Sequence, residues 1–189
     1  SDLESRDDGA TWHPANTGLR ADFLPEPAAE IGHDPHCLVM CTGAPNVMWQ
    51  QNHCGIFRTQ DGGASWKMVS EKGRAPHFGF AIAADPRNPG VAWVVPGHSD
   101  EVRTAIDGAL VAYRTDDGGE TWLPLRNGLP QENAYDIVLR HALDQSEDFV
   151  AFGSTTGNVY LSENRGESWL CLGTNFPPVY SVRFGIAGS

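Results

Sequence analysis

Short apolar runs separated by polar turns recur along the chain and predict strands rather than helices. Three of these runs, 47–49, 91–93 and 150–152, align with one another as Val-Met-Trp, Val-Ala-Trp and Val-Ala-Phe. Consecutive apolar residues without helical spacing are typical of strands that are covered on both faces. The connecting segments 43–46 and 85–90 are rich in Gly, Pro, Asn and Asp, which are strong turn signals.

Between these turns the runs form three successive sets of four predicted strands. The strands of the first set are 36–42, 47–52, 55–59 and 65–69. Those of the second set are 78–84, 91–96, 110–115 and 121–125. Those of the third set are 135–141, 149–153, 158–162 and 168–172, and one further strand is predicted at 179–184. Short strands at this spacing predict an all-β architecture of repeated small sheets.

An eight-residue pattern ending in Trp occurs four times, at 5–12, 59–66, 115–122 and 162–169. Each copy has an acidic or amide residue, a Gly two positions later and a Trp three positions after that. The residues that carry it are Asp7, Gly9, Trp12, Asp61, Gly63, Trp66, Asp117, Gly119, Trp122, Asn164, Gly166 and Trp169. The Asp is expected to accept hydrogen bonds inside a tight turn, and the Gly to adopt a positive φ. A pattern that recurs in every hairpin predicts a structural role, with the Trp packed between neighbouring sheets.

The pattern resembles the Asp-box, or BNR repeat, of sialidases, sortilin-type receptors, xyloglucan-cleaving enzymes and photosystem assembly factors. All of these proteins are β-propellers, so the resemblance implies that fold. Residues 22–184 also look like a bacterial group of uncharacterised, glycosyl-hydrolase-like BNR-repeat proteins, most clearly in segments 33–38 and 49–53. The resemblance is specific for the fold and unspecific for activity.

The resemblance assigns one four-stranded antiparallel blade to each set of strands. Complete blades are expected at about 36–70, 78–126 and 135–173, and partial blades at 1–16 and 179–184. Residues 1–189 are then a single propeller domain or the C-terminal part of one. Because partial blades expose unpaired strand edges, we expect a half-propeller that is completed by a second copy of the chain or by a missing N-terminal half.

Composition restricts the classes of partner. The net charge is −11 and the chain has only two lysines, which argues against a nucleic-acid or anionic-membrane partner. The four cysteines, Cys37, Cys41, Cys54 and Cys171, are too few for a disulfide scaffold. We therefore expect free thiols and a cytoplasmic location, with a periplasmic or secreted location left open.

Polar candidates concentrate in loops on the propeller face opposite the Asp-box turns. Five of the seven histidines lie there, and the second blade carries a polar insertion around 97–103. Such loops are where a propeller scaffold carries its binding groups. The candidate ligand-binding residues are His33, Asp34, His36, His53, His98, Asp100 and Glu101.

Three interpretations of the first blade stay open. A hairpin turn centred on residues 45–46 would place Cys37 opposite Cys54, with His36 and His53 beside them. The histidines, with His33, then form a hydrogen-bonded plug or hold a divalent metal, or the two thiols form a disulfide. No cofactor is required, and the spacings match no compact zinc motif.

The function expected from these observations is a ligand-binding or protein-binding propeller scaffold, and this chain alone is not expected to be an enzyme. The alternative is a sialidase-like or xyloglucanase-like glycoside hydrolase whose site is completed by further blades or a second copy. Arg140 and Arg183 are expected to lie away from the open face, where a sialidase-like site would need them. No spacing selects a catalytic pair from the carboxylates Asp34, Asp100, Glu101 and Asp136. A carbohydrate or a protein is the expected ligand.

Overall fold

The computed structural model describes residues 2–185 and is built almost entirely of β-strands. A two-stranded sheet consists of β1 (Leu3–Glu4) and β2 (His13–Pro14). The first four-stranded sheet contains β3 (Pro35–Met40), β4 (Met48–Asn52), β5 (Gly55–Thr59) and β6 (Lys67–Met68). The second contains β7 (Gly79–Ala84), β8 (Ala92–Pro96), β9 (Ala112–Thr115) and β10 (Leu123–Leu125). The third contains β11 (Leu143–Ser146), β12 (Phe149–Gly153), β13 (Val159–Ser162) and β14 (Leu170–Gly173).

The three large sheets are antiparallel, and each is built from four consecutive strands. Their first strands lie side by side, because β7 packs against both β3 and β11. This arrangement confirms the predicted all-β propeller with three complete blades and part of another. One short 3-10 turn, Ile106–Gly108, lies within the predicted insertion of the second blade. Within residues 2–185, no helix is long and apolar enough to cross a membrane.

The core lies between neighbouring blades. Trp49, Ile56 and Val94 pack between the first and second blades, and Trp93 and Phe152 between the second and third. All five side chains are almost completely buried, and every residue of β8 is buried. The aligned apolar runs are therefore the second strands of their blades, covered on both faces as their lack of alternation predicts.

The repeated pattern forms the turn between the third and fourth strands of each full blade. The Asp61 carboxylate accepts hydrogen bonds from the backbone N–H of Ser65 at 2.9 Å and from the Thr59 hydroxyl at 2.7 Å. Gly63 has a φ of +94° and donates its N–H to the same Thr59 hydroxyl. The corresponding bonds recur in the other three copies, including the copy with Asn164. The turns are thus held by the side chains that define the pattern.

The tryptophans of the pattern join each full blade to the chain before it. The Trp66 indole donates to the carbonyl of Ala15 at 3.0 Å, and the Trp122 indole donates to that of Val69 at 2.9 Å. Trp169 is buried between the second and third blades. Trp12, in the two-stranded sheet, is 59% exposed and donates to Gly9 of its own turn.

We expect Asp117→Ala to destabilise the protein by about 1–2 kcal/mol, because it removes charge-assisted hydrogen bonds from the turn. Asp117→Asn should change stability little, since Asn164 keeps the same turn through a hydrogen bond from its Nδ2 to Ser168. Urea denaturation of the two variants measures the difference. Equal losses of stability in both variants would show that the side-chain oxygen at position 117, which accepts the Thr121 N–H, does not hold the turn.

The pKa of Asp117 is lowered to about 2 by the hydrogen bonds that it accepts from Thr121. A carboxyl whose pKa is lowered on folding stabilises the protein at pH values above its ordinary pKa of 3.8. This stabilisation is lost as the pH falls towards the folded-state pKa of about 2. The stability advantage of wild type over Asp117→Ala should therefore shrink between pH 4 and pH 2. Denaturation midpoints across this range measure it, and a constant difference would contradict the assignment.

The first strand of the third blade was predicted at 135–141, and this was wrong. The strand is β11, Leu143–Ser146, which pairs with β12 across a tight turn at Glu147, whose φ is +54°. This turn sets the register between β11 and β12. Asp136 lies outside the sheet, because it accepts hydrogen bonds from the hydroxyls of Ser154 and Thr156. The predicted strand 179–184 is reduced to a single bridge between Ser181 and His141.

The predicted register of the first hairpin was also wrong. Cys37 lies opposite Gln51 rather than Cys54, because the N–H of Cys41 bonds to Val47 and closes a longer loop. A bulge after Pro35 adds a further shift. The Cys54 thiol instead accepts a hydrogen bond from the Asp22 N–H, and all four cysteines are free thiols. The disulfide interpretation loses its geometric basis.

The connections between blades differ in length, and the shortest leaves a groove. Ten residues join β6 to β7, against twenty before β3 and seventeen before β11. The two longer connections pass over the next blade, where Thr17 and Asn127 accept the backbone N–H groups of Trp66 and Trp169. The short connection makes no such bond to Trp122, and a groove of about 1000 Å³ opens between the first and second blades.

We expect the backbone amide of Trp122 to exchange its hydrogen at least roughly tenfold faster than those of Trp66 and Trp169, since it lacks the inter-blade hydrogen bond. Hydrogen–deuterium exchange followed by NMR measures the three amides in one sample. Equal protection of the three would show that the short connection closes over Trp122 in solution.

Candidate functional site

Three of the candidate residues, Asp34, His36 and His53, come together at one end of the first blade. Asp34 and His36 flank Pro35, the first residue of β3, and His53 occupies the turn from β4 to β5. The N–H of His53 donates to the Asp34 carbonyl at 3.0 Å and extends the β3–β4 pairing by one bond. The hairpin therefore brings the three side chains to the same edge of the sheet.

The polar atoms of this cluster lie close enough to share a ligand. The His36 Nε2 is 3.3 Å from the Asp34 Oδ2, and the His53 Nδ1 is 3.6 Å from the same oxygen. One ligand atom from each of the three residues lies within 4.8 Å of the other two. The His36 side chain is 2% exposed, whereas those of His53 and Asp34 are 26% and 51% exposed. The cluster is thus anchored in the interior and open to solvent at one side.

His36 is held in one orientation. Its Nδ1 lies 2.6 Å from the Gly79 carbonyl, which can only accept a hydrogen bond. The proton of a neutral ring is therefore on Nδ1, and Nε2 directs a lone pair towards Asp34. Burial lowers the pKa of His36, although the Gly79 carbonyl and the Asp34 carboxylate partly oppose this effect. Because the depressed pKa lies below the ordinary value of 6.5, the neutral ring dominates at neutral pH.

Aromatic rings surround the two histidines. Phe80 stacks on His36 with the ring centres 4.6 Å apart, and Phe78 meets both histidine rings edge to face. Phe23 meets His53 edge to face at 5.0 Å. These three rings were not among the predicted site residues, although strand alternation places positions 78 and 80 on the same face of the predicted strand 78–84. They hold both imidazoles in place and lower the local dielectric.

Two arginines lie over the same phenylalanine. The guanidinium groups of Arg103 and Arg140 are 5.4 and 5.6 Å from the centre of the Phe80 ring. Arg103 belongs to the predicted polar insertion and is paired with Asp100 at 2.6 Å. The expectation that Arg140 lies away from the site was wrong, because the chain before β11 follows β7 closely enough to place its guanidinium beside Phe80.

A cavity of about 520 Å³ begins at His36 and follows the first strands of the three blades. Its wall includes Arg140 and Arg183 and the exposed side chains of Leu38 and Met40 on β3. Arg183 donates to the carbonyl of His141 at 2.9 Å. In a propeller this space is the central channel. Both arginines therefore line the channel.

The remaining candidates lie elsewhere. His33 is buried with its Nε2 2.7 Å from the Ala29 carbonyl, so the local chain engages it. His98 and Glu101 are exposed in the insertion, where the N–H of His98 donates to Thr104. Asp136 accepts hydrogen bonds from Ser154, Thr156 and Asn158 and is structural.

Comparison with known proteins supports the fold. No protein-family model matches the chain, and no curated protein matches it significantly. Among solved structures, an ancestral GH74 enzyme is 20% identical over 88% of this chain, with a TM-score of 0.59. The GH74 enzyme of Niastella koreensis is 16% identical over 74% of the chain, with a TM-score of 0.55. YCF48 from Cyanidioschyzon merolae is 19% identical over 74%, with a TM-score of 0.50.

The chain spans only part of each of these structures, namely 20% and 22% of the two GH74 enzymes and 37% of YCF48. A YCF48 structure with a bound D1 peptide is similar over 74% of this chain, at 15% identity and a TM-score of 0.50. Identities this low establish shared architecture and leave the chemistry open. Together with the three four-stranded sheets, these similarities show that the chain folds as part of a β-propeller.

Proposed function

We propose that the chain is part of a BNR/Asp-box β-propeller that binds a carboxylate-bearing peptide segment in its central channel. The observation that carries this proposal is the pair of arginines, Arg140 and Arg183, in the channel wall. Within residues 2–185, the Arg140 guanidinium makes no hydrogen bond or ion pair; it lies over Phe80 and interacts electrostatically with His36. An unpaired guanidinium in a cavity is suited to bidentate recognition of a carboxylate.

The charge distribution supports an acidic ligand. The chain as a whole carries a net charge of −11, so its outer surface repels acidic molecules. Arg140 and Arg183 in the channel wall, which also carries Asp144, would then direct such a ligand to one place. The exposed Leu38 and Met40 provide apolar contacts beside the cationic groups, as a peptide side chain would require. The peptide-bound YCF48 structure is a precedent for a peptide ligand on a similar fold.

The assignment to the BNR/Asp-box class rests on the four turns rather than on overall similarity. Each turn has the same carboxylate or amide oxygen accepting the backbone N–H four residues later. Each also has a glycine with a φ between +88° and +94°. We further propose that a second copy or additional blades cover the open sides of the half-propeller. A cytoplasmic location remains part of this proposal, from the free thiols.

A glycoside hydrolase completed by further blades is the alternative, and similarity to GH74 enzymes favours it. Within residues 2–185, however, most candidate carboxylates already have partners. Asp34 faces two histidines, Asp100 pairs with Arg103, and Asp136 is bound by its neighbouring loop. A glycosidase needs a pair of carboxyl groups free to act on a sugar. The binding function therefore fits the described residues better.

The test measures binding of fluorescent Glu-rich and matched Gln-rich peptides by anisotropy. We expect the Glu-rich peptide to bind more tightly, and Arg140→Gln to weaken its binding about tenfold, since a charge-assisted pair is lost. Arg74→Gln is the control, because Arg74 pairs with Glu71 in the groove between the first and second blades, away from the channel. Equal affinity for the two peptides, or no effect of Arg140→Gln, would refute the proposal. Release of reducing ends from xyloglucan would support the hydrolase instead.

A further inference from the structure

We propose that Asp34, His36 and His53 bind a divalent transition-metal ion of the zinc class. The proposal is independent of peptide binding in the channel, because its ligands lie at the mouth and the arginines take no part. It concerns the three residues whose ligand atoms lie within 4.8 Å of one another. His33, which the sequence analysis included in a metal set, is replaced by Asp34.

The distances suit one small ion. Two ligands at about 2.1 Å from a metal lie no more than about 4.2 Å apart. The Asp34 Oδ2 is 3.3 Å from the His36 Nε2 and 3.6 Å from the His53 Nδ1. Each distance is short enough for one ion to contact Asp34 together with that histidine. All three ligand atoms lie within 4.8 Å of one another, so the more exposed His53 ring has to move closer for one ion to contact both imidazoles. Two imidazoles and a carboxylate are a ligand set typical of zinc sites with an open position.

The second observation is an electrostatic conflict within the cluster. His36 donates its Nδ1 proton to Gly79, so the Nε2 lone pair of the neutral ring faces the Asp34 carboxylate at 3.3 Å. A carboxylate also offers only lone pairs. Two acceptor atoms at this distance are compatible with a cation between them, either a proton on Nε2 or a metal ion. A metal ion coordinated by both atoms would be such a cation.

The surroundings resemble those of a built metal site. The hydrogen bond to Gly79 fixes the His36 tautomer and leaves Nε2 free to coordinate, which is the usual support for a ligating histidine. Phe80 stacks on His36, and Phe23 and Phe78 hold the His53 ring. The half-exposed Asp34 leaves the remaining coordination positions accessible to water or a ligand. Mg²⁺ and Ca²⁺ prefer sites in which all ligands are oxygen atoms. A site with two imidazole ligands therefore favours a zinc-class metal over these two ions.

Titration of the purified protein with Zn²⁺ by calorimetry, and with Co²⁺ by visible absorption, tests the proposal. We expect one equivalent of either metal to bind, and Mg²⁺ not to compete. His53→Ala should weaken binding about a hundredfold and Asp34→Asn about tenfold, since each removes or neutralises one ligand. Both residues are partly exposed, so the variants should fold, and circular dichroism checks this.

His13→Ala is the matched control, because His13 is an exposed histidine of β2 outside the cluster and should bind metal like wild type. The Co²⁺ spectrum adds a readout that loss of fold does not mimic, since the ligand-field bands report coordination by nitrogen and oxygen. No binding by wild type, or the same affinity in His53→Ala and wild type, would overturn the proposal. Peptide binding by Arg140 is measured separately, so either proposal can fail alone.

Discussion

Replacing Trp93 with alanine should destabilise the protein by about 3–5 kcal/mol, the largest loss expected from one side chain. Trp93 is completely buried on β8, between the second and third blades. Its indole N–H donates to the Arg165 carbonyl at 2.9 Å, and the Arg165 guanidinium lies 5.2 Å above its ring. Alanine would leave a cavity at this junction and would remove one of the two hydrogen bonds that the Arg165 carbonyl accepts, the other coming from Arg114.

Urea denaturation followed by circular dichroism measures this loss, since fluorescence would change with the removal of one of six tryptophans. Trp12→Ala is the control, because the same side chain is 59% exposed in the two-stranded sheet. Its cost should stay below about 1 kcal/mol. Similar losses in both variants would show that the blade junction is not the source of stability.

Gly128→Ala should cost about 3 kcal/mol, from backbone strain together with steric overlap. Gly128 has a φ of +89°, which alanine adopts only with strain. A Cβ at this position would also lie far closer than 3.0 Å to the Trp169 carbonyl oxygen, which is backbone and cannot move aside. The turn would have to lift off the third blade and break the bond from the Trp169 N–H to Asn127.

Gly73→Ala separates the two contributions. Gly73 occupies the corresponding turn after the first blade and has nearly the same φ, +86°, but nothing lies within 4 Å of its Cβ position. Its substitution should cost only the strain, about 1 kcal/mol. Thermal unfolding of the two variants gives the difference. If both variants lose the same stability, the contact between the 126–129 turn and Trp169 contributes nothing.

The fold was predictable because it is encoded locally and repeated. Each Asp-box places the oxygen of Asp61 or its equivalent within four residues of the amide that it accepts, so the turn forms from neighbouring residues alone. The apolar second strands, such as β8, followed from their lack of alternation. The third blade differs, because Ile137 and Val138 are buried without belonging to a strand. Burial alone does not establish pairing.

The site was predictable only in part. Hairpin topology, which is a short-range constraint, predicted that His36 and His53 lie beside each other, whereas Asp34 was predicted only as a candidate on the same propeller face. The exact register of the β3–β4 hairpin was not predicted, since a bulge and a longer loop place Cys37 opposite Gln51. Arg140 was misplaced for a different reason. Its position depends on how the third blade packs against the second, which is a contact between residues distant in sequence.

The sequence by itself determined the blade architecture, the box turns and the histidine-bearing hairpin, because hydrophobic patterning and turn chemistry act over a few residues. Only the tertiary structure decided which side chains share the channel mouth. The stacking of Phe80 between His36 and two arginines joins strands and loops from all three blades. Such contacts are set by the close packing of neighbouring sheets, and no pattern within one segment specifies them.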